Sequence, residues 1–579
     1  MRNTQACFLL LGVVALATGA ACGQTGVAAT TGGPETGGDG PATTSTSTSA
    51  GGAGPSTGPS TTGSGGAAGT GGGAVNGTCS VTHTGTSGVA IQGTLLTSTG
   101  ISQGEVFVDS TGKIACVGPS CSSTSGYSTA TIIACAGPVI SPGLINAHDH
   151  TEYNTAAPIP TGTTRWDHRN GWRKGTGNEP KLTEPQPTDD PATLAAAELR
   201  FVLGGATSII GSGGVHGLLR NLAAYPDTTL TEGLAGDTVY FDTFPMNDSS
   251  GTEASSGCNY TGHTTSGSAF SGGAYAPHIA EGINTAAENE FTCAQGSYGL
   301  VNAQTAIIHG VGLNATDIAK IAATQAKLIW SPRSNMDLYG NTAEIPVFKA
   351  LGVTIALGTD WMASGSMNML RELQCADSLN STYFGHALTD EDLFLAATWH
   401  AAQAAAYQHE IGDLATGLWG DVAIFAGATS DYRAVIDAGV EDVLLVLRAG
   451  KPLYGDAALV GALATGCEAL PLCGASKSVC VDTPGVTLAQ VESASSFYPL
   501  YFCKGTTPTN EPSCVPYRTE YASGVTGTDA DGDGIPDAMD DCPSVFNPVR
   551  PMDGTTQADV DADSFGDACD AKPTDGTAH

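Results

Sequence analysis

The chain has 579 residues, 41% of them hydrophobic, with 22 basic against 56 acidic side chains and a formal net charge of −34. It is long enough for a large core with appendages, and so negative a balance excludes a polyanionic partner such as nucleic acid. Its sixteen cysteines point to an oxidising compartment.

Arg2 followed by an apolar stretch from Ala6 to Ala17 and then small residues reads as an export signal, too short to span a bilayer. Ala20-Ala21-Cys22 is similar to the end of a bacterial lipobox, with Gly19 where leucine is usual, so residues 1–22 form the signal and Cys22 is the lipidation candidate. Membrane attachment is expected only through that lipid; ordinary cleavage would instead give a periplasmic or secreted protein. Cys7 lies in the signal, which leaves fourteen cysteines for up to seven disulfides of unspecified connectivity. Residues 23–78 are nearly all Gly, Ser, Thr, Ala and Pro and bury too little to offset their ordering entropy, which predicts a flexible linker.

From 79 to 142 short β-branched runs such as Val89–Leu96 and Gly104–Asp109 predict strands, and similar runs, Gly420–Phe425 and Val443–Tyr454, return within 405–460. Between these flanks, residues 143–404 alternate apolar strand-like runs with helical stretches, the pattern of a parallel α/β fold. One predicted strand ends in His148 and His150. Six more cover 207–211, 238–244, 274–281, 305–311, 327–331 and 354–360, and an eighth is sought between Asp248 and Gly272. Helices are predicted over Pro191–Leu203, with proline at an early helical position, and Glu391–Gln408. Residues 461–528 read as a cysteine-containing linker.

Polar groups cluster at the ends of these strands. His148 and His150 are i and i+2 and so share one side of a strand. Pro277-His278-Ile-Ala-Glu281, Ile307-Ile-His309-Gly310 and Ile355-Ala-Leu-Gly-Thr-Asp360 follow. Imidazoles with a carboxylate suit zinc or iron better than calcium or magnesium.

The order His-x-His, His-x-x-Glu, His and Gly-Thr-Asp resembles the amidohydrolase superfamily, in its mononuclear cytosine, chloro-triazine and adenosylhomocysteine deaminase-like branch, over roughly residues 85 to 455. The resemblance implies a TIM-type (β/α)8 barrel with its site at the carboxyl ends of the strands, and a small β-sandwich built from both flanks. It implies that His148, His150, His278 and Asp360 hold one divalent transition metal, zinc or alternatively iron, that activates a water. It further implies that Glu281 shuttles protons to the leaving nitrogen, that His309 orients the nucleophile and stabilises the developing oxyanion, and that Asp360 also accepts the water's proton. Residues 182–319 contain no lysine, which removes the carbamylated lysine of binuclear relatives.

The expected activity is hydrolysis of a carbon–nitrogen bond in a small molecule, as a deaminase or cyclic-amide hydrolase. Two alternatives are a calcium-binding cell-surface or adhesion protein with an inactive barrel, and a binuclear hydrolase of peptide-like or phosphoester bonds. Trp361 beside Asp360, Asn335 in Ser331-Pro-Arg-Ser-Asn335, and Trp166 in the segment after His150 are the pocket candidates; that segment, with Arg169, Trp172 and Arg173, is expected to be a loop over the mouth. His216 and His400 match no motif and are expected to be structural.

Residues 529–570 carry twelve aspartates and one arginine. Asp529-Ala-Asp-Gly-Asp-Gly-Ile-Pro-Asp537 and its continuation resemble thrombospondin type 3 repeats, which implies calcium held by Asp529, Asp531, Asp533, Asp537, Asp540, Asp559, Asp561, Asp563 and Asp567.

Overall fold

The computed structural model describes residues 77–223 and 227–578. The expected signal, Cys22 and all but the end of the 23–78 linker lie outside the described residues. Five strands open the described chain: β1 (Thr78–His83), β2 (Val89–Thr97), β3 (Gly100–Val108), β4 (Ile114–Gly118) and β5 (Thr131–Pro142). Eight strands follow: β6 (Leu144–His150), β7 (Ala206–Ser212), β8 (Arg220–Asn221), β9 (Tyr240–Asp242), β10 (Tyr275–Ile279), β11 (Ala306–His309), β12 (Lys327–Trp330) and β13 (Ile355–Leu357). The last five are β14 (Val422–Phe425), β15 (Val443–Arg448), β16 (Lys451–Asp456), β17 (Glu468–Leu472) and β18 (Ala475–Val479).

The first and last groups form one continuous sheet in the order β17-β18-β16-β15-β14-β5-β2-β3-β4, with β1 also on β5. Its joint is the antiparallel pairing of β14 with β5, Val422 opposite Pro142 and Phe425 opposite Val139. Side-chain alternation divides these strands between two cores. On β14, Val422 and Ile424 enter a core with Ile91, Val106 and Leu445, whereas Ala423 and Phe425 enter the main core with Val139 and Val446. The 461–528 segment, expected to be a linker, instead supplies β17 and β18 and the helix Leu488–Ala494. Its two strands are five residues each and offer at most two buried apolar side chains apiece, too few for sequence periodicity to report, yet Leu470, Leu472, Val479 and Val491 are buried in the main core.

The middle group is parallel throughout, as β6-β7-β8 and β9-β10-β11-β12-β13. Two backbone bonds link these sheets: Val239 N to Leu222 O at 2.8 Å and Asp360 N to His148 O at 2.9 Å. Again the alternation sorts residues by face. Leu328 and Trp330 on β12, Ile307 on β11, and Ile355 and Leu357 on β13 join the main core, where helices cover them. Ile329, Ile308 and Ala356 point the other way, into a second core rich in alanine and isoleucine with Ile145, Ala147, Ile210 and Ala276. The eighth parallel strand is β8, not in the 248–272 stretch, which holds only the short helix Ser266–Ala269. Two residues are too few to carry a period.

Helix Pro191–Leu203 has the predicted bounds, with Asp190 capping Thr193 N, a contact worth about 1 kcal/mol. The expected helix over 391–408 is two, Asp390–Ala396 and Trp399–Ala404, broken at Thr398, whose backbone (φ −134, ψ −95) is not helical. All fourteen remaining cysteines are paired: 79–135, 116–121, 258–293, 375–514, 467–480, 473–503 and 542–569.

Candidate functional site

The site is assembled where β6, β10, β11 and β13 end. His148 and His150 leave β6, His278 sits in β10, His309 closes β11, and Asp360 follows β13. Gly358 explains the glycine of Gly-Thr-Asp: a Cβ there would lie 2.5 Å from His148 Cβ and 2.6 Å from His148 N. His309 (φ 71) and Asp360 (φ 57) both take the left-handed backbone, which non-glycine residues adopt at a cost and which concentrates at functional sites.

Three imidazoles converge. Nε2 of His148 lies 3.0 Å from Nε2 of His278 and 3.4 Å from that of His150, and the third separation is 3.2 Å. Asp360 Oδ1 is 3.7 Å from the first and 3.8 Å from His150. On the far side, His278 Nδ1 faces the carbonyl of Asp242 at 3.1 Å, which fixes that nitrogen as the N–H and leaves Nε2 a bare lone pair. Ser331 Oγ holds His148 Nδ1 at 2.9 Å and Ser212 Oγ meets His150 Nδ1 at 3.4 Å. Ser334 donates to Asp360 Oδ2 at 2.7 Å, which turns Oδ1 toward the histidines. Burial, then the neighbouring imidazoles, holds His148 and His278 well below the usual histidine range, and burial lowers His150 too. Neutral rings with converging lone pairs repel one another unless a cation lies among them. The donor set therefore fits a divalent transition metal, which His148, His150, His278 and Asp360 would hold and which, when bound, would polarise a water and lower its pKa.

Glu281 stands beside this cluster. Its Oε1 accepts from the Tyr339 hydroxyl at 2.7 Å, and its Oε2 lies 3.6 Å from Arg169 Nη1 and 3.7 Å from His309 Nε2. Burial pushes the Glu281 carboxyl up, but His309, Arg169 and Tyr339 outweigh it and hold it below its ordinary value. It is a carboxylate at neutral pH, able to take a proton. Asn335 Oδ1 meets His309 Nδ1 at 3.0 Å, aiming the other ring nitrogen at Glu281.

A cavity of about 200 Å³ opens on the cluster, lined by His150, His278, Glu281, His309 and Asp360 and by Tyr153, Trp172, Phe244 and Trp361. Of the pocket candidates Trp361 lines it and two are corrected. Asn335 is spent orienting His309, and Trp166 is buried in the cluster of Trp172, Leu338 and Trp361 with its Nε1 on Pro180 O. The expected loop over the mouth contains the helix Arg169–Lys174, capped by His168 and largely buried. Arg169 is not available to a substrate anion, since Asp248 at 2.8 Å and Glu290 at 3.2 Å already pair with it. His216 meets Glu232 at the surface and His400 meets Ile355 O.

Sequence reading missed Tyr339, Arg169 as a partner of Glu281, and Asp149. Asp149, between the two histidines, accepts from Thr359 and Asn154 at 3.0 Å each, and burial raises it well above the carboxylate range. Tyr339 was findable only in hindsight, four residues after Asn335 and hence on the same helical face.

Residues 253–453 match the amidohydrolase family. The matched segment includes His278, Glu281, His309 and Asp360. The chain is 34% identical over 131 residues to 5-methylthioadenosine/S-adenosylhomocysteine deaminase of Pyrococcus abyssi, covering 22% of this chain and 30% of the relative. It is 39% identical over 74 residues to aminodeoxyfutalosine deaminase of Deinococcus radiodurans, covering 13% and 18%. The chain thus spans less than a third of either relative's length. Atrazine chlorohydrolase from Arthrobacter aurescens, solved with zinc, superposes with a TM-score of 0.43 at 17% identity, over 63% of this chain and 95% of that one.

The tail residues also gather. Asp529, Asp531 and Asp533 bring one oxygen each within 4.8 Å of one another, as do Asp559, Asp561 and Asp563. Gln557 Nε2 bridges Asp533 at 3.1 Å and Asp540 at 2.7 Å. Asp537 Oδ1 accepts from Ala530 N, and Asp567 Oδ1 from Val560 N.

Proposed function

We propose that the chain hydrolyses a carbon–nitrogen bond in a small molecule, as a deaminase or cyclic-amide hydrolase with one divalent transition metal, zinc in preference to iron. The observation that carries this is the convergence of three neutral imidazoles and Asp360 next to an ionised Glu281. Glu281 takes a proton from the attacking water and returns it to the leaving nitrogen, His309 steadies the charge that develops on oxygen, and Asp360 assists deprotonation. Trp172, Trp361, Phe244 and Tyr153 suit a flat, nitrogen-bearing ring, a substrate class in line with the 5-methylthioadenosine/S-adenosylhomocysteine deaminase to which the chain is similar. The two parallel sheets, linked at both seams, are read as one (β/α)8 barrel around the core of alanine and isoleucine. The absence of lysine across 182–319 disfavours the binuclear alternative. Seven disulfides support an exported protein, anchored through Cys22.

Metal analysis of the full chain, together with ammonia release from a panel of aminopurine nucleosides and amino-triazines, tests this reading. One transition metal per chain with ammonia release is expected. Two metals would favour the binuclear hydrolase, and none would favour the adhesion protein.

The tail is proposed to bind calcium. Burial first, and then neighbouring aspartates, pushes Asp531 up to about 7 and Asp533 to about 6. In the unfolded chain both titrate near 3.8, so between these values the folded form holds more protons and its stability falls as pH rises. Without calcium, the thermal midpoint is expected to drop between about pH 4 and pH 7, and saturating calcium to flatten that slope. A calcium-insensitive profile in differential scanning calorimetry would remove calcium from these sites.

A further inference from the structure

Resting on the reading of the histidine cluster as a hydrolytic site, we propose that the C-terminal segment is a cation-controlled part of it. Tyr339 is a positioning residue for Glu281, and the acidic loop 529–533 governs Tyr339 through Arg518 and Tyr521.

The contacts run without a gap. The Tyr339 hydroxyl donates to Glu281 Oε1 at 2.7 Å and receives Trp172 Nε1 at 3.0 Å. Tyr339 is the last residue of helix Pro332–Tyr339, and Gly340 ends that helix in the left-handed conformation (φ 69). The C-terminal segment grips this end. Arg518 Nη1 donates to the carbonyl of Tyr339 at 3.0 Å and to that of Trp166 at 3.3 Å. The Tyr521 hydroxyl and Tyr517 N both donate to Gly340 O, at 3.2 and 3.3 Å. Any side chain at Gly340 would run into the Tyr517 carbonyl. From the same segment, Arg550, 3% exposed, donates to Leu313 O at 2.9 Å, four residues beyond His309.

The acidic loop lies directly on this grip. A Cβ at Gly534 would sit 2.5 Å from Glu520 O and 3.1 Å from Tyr521 Cβ, and one at Gly532 would sit 2.6 Å from Val525 N. Both glycines have positive φ, 92 and 76. The loop is thus packed against residues 520–525 with no room for a side chain at either glycine, so a change in its shape bears on that platform. Asp531 is 1% exposed and its Oδ2 has no hydrogen-bond partner. A buried carboxylate oxygen left unpaired among two other carboxylates is costly, and a hard divalent cation bound by oxygen is the ligand that relieves it. With the cation absent, the loop relaxes by separating its carboxylates, the 520–525 platform shifts, and Arg518 and Tyr521 release the 339–340 corner. Glu281 then loses its fixed donor. Cation occupancy thus sets the fraction of chains in which Glu281 is aligned, and the effect belongs in kcat, not in the histidine-bound metal.

The test uses the full, oxidised chain saturated with transition metal in a metal buffer, with calcium titrated against a calcium-selective chelator and magnesium as control. Calcium is expected to raise kcat on the order of 10-fold, within the roughly 5- to 150-fold range of such couplings, while KM and transition-metal content stay within about twofold. Hydrogen exchange of the backbone over 332–341 should slow on calcium addition. Tyr339→Phe keeps the ring but not the donor; it should lower kcat, retain the exchange response and abolish the calcium effect on kcat. Asp531→Asn should abolish both responses. The proposal is overturned by calcium binding that leaves exchange over 332–341 unchanged, by no calcium binding, or by Tyr339→Phe retaining the calcium effect on kcat. Should no carbon–nitrogen substrate be turned over while the exchange response appears, the hydrolytic reading fails and the grip of the acidic loop on Tyr339 stands.

Discussion

Replacing His148 by alanine is expected to strip the chain of its transition metal and reduce hydrolysis to background. His148 Nε2 is central to the cluster, near both other imidazoles and Asp360. Loss of a partner that merely orients a ligand typically costs roughly 10- to 100-fold in metal affinity, so Ser331→Ala, which frees His148 Nδ1, should fall in that range and His148→Ala beyond it. Asp360→Asn serves as the second variant, because it keeps the volume and the acceptor for Ser334. Metal content after dialysis against a chelator, with circular dichroism to show folding, reads both. A His148→Ala protein that kept one equivalent of zinc and its activity would place the metal elsewhere.

Replacing Glu281 by glutamine is expected to leave the metal in place while kcat falls by roughly 10²- to 10⁴-fold, the usual worth of a general acid–base group. The amide oxygen can still accept from Tyr339, and Arg169 keeps Asp248 and Glu290, so the surroundings stay paired. The amide cannot ferry a proton. Because the native carboxyl is held low, the wild-type rate should persist at pH values where an ordinary glutamate would already be protonated. A glutamine variant with near-native kcat would move the proton transfer to another group of the site, such as His309.

What the sequence made legible follows from how each feature is encoded. Parallel strands such as Lys327–Trp330 are apolar on both faces and stand out as runs, and the histidines are conspicuous because each ends such a run. The two-residue strand at Arg220–Asn221 leaves no periodic trace, since its place is set by neighbours distant in the chain. The break at Thr398 falls at Thr398-Trp399-His400, weaker helix formers that the surrounding alanines and leucines mask. Around the site, the groups facing the cluster came through, and the groups behind them did not. Ser331, Ser334 and Tyr339 act through positions on one helix and its approach, and nothing in their local sequence separates them from ordinary packing residues. The tail's acidic spacing was plain, but its contact with the 339–340 corner depends on long-range contacts that no local pattern encodes.

The left-handed backbone at His309 and Asp360 bears on any effort to improve this protein by selection. At φ 71 and φ 57 a glycine or asparagine rests more comfortably than the native residue. A library screened for heat tolerance alone would therefore enrich Asp360→Asn and glycine at 309, the very changes that disarm the chemistry. Robustness and turnover pull in opposite directions at these two positions, and a screen that scores both would keep them fixed and seek its gains on the outer strands and surface helices instead.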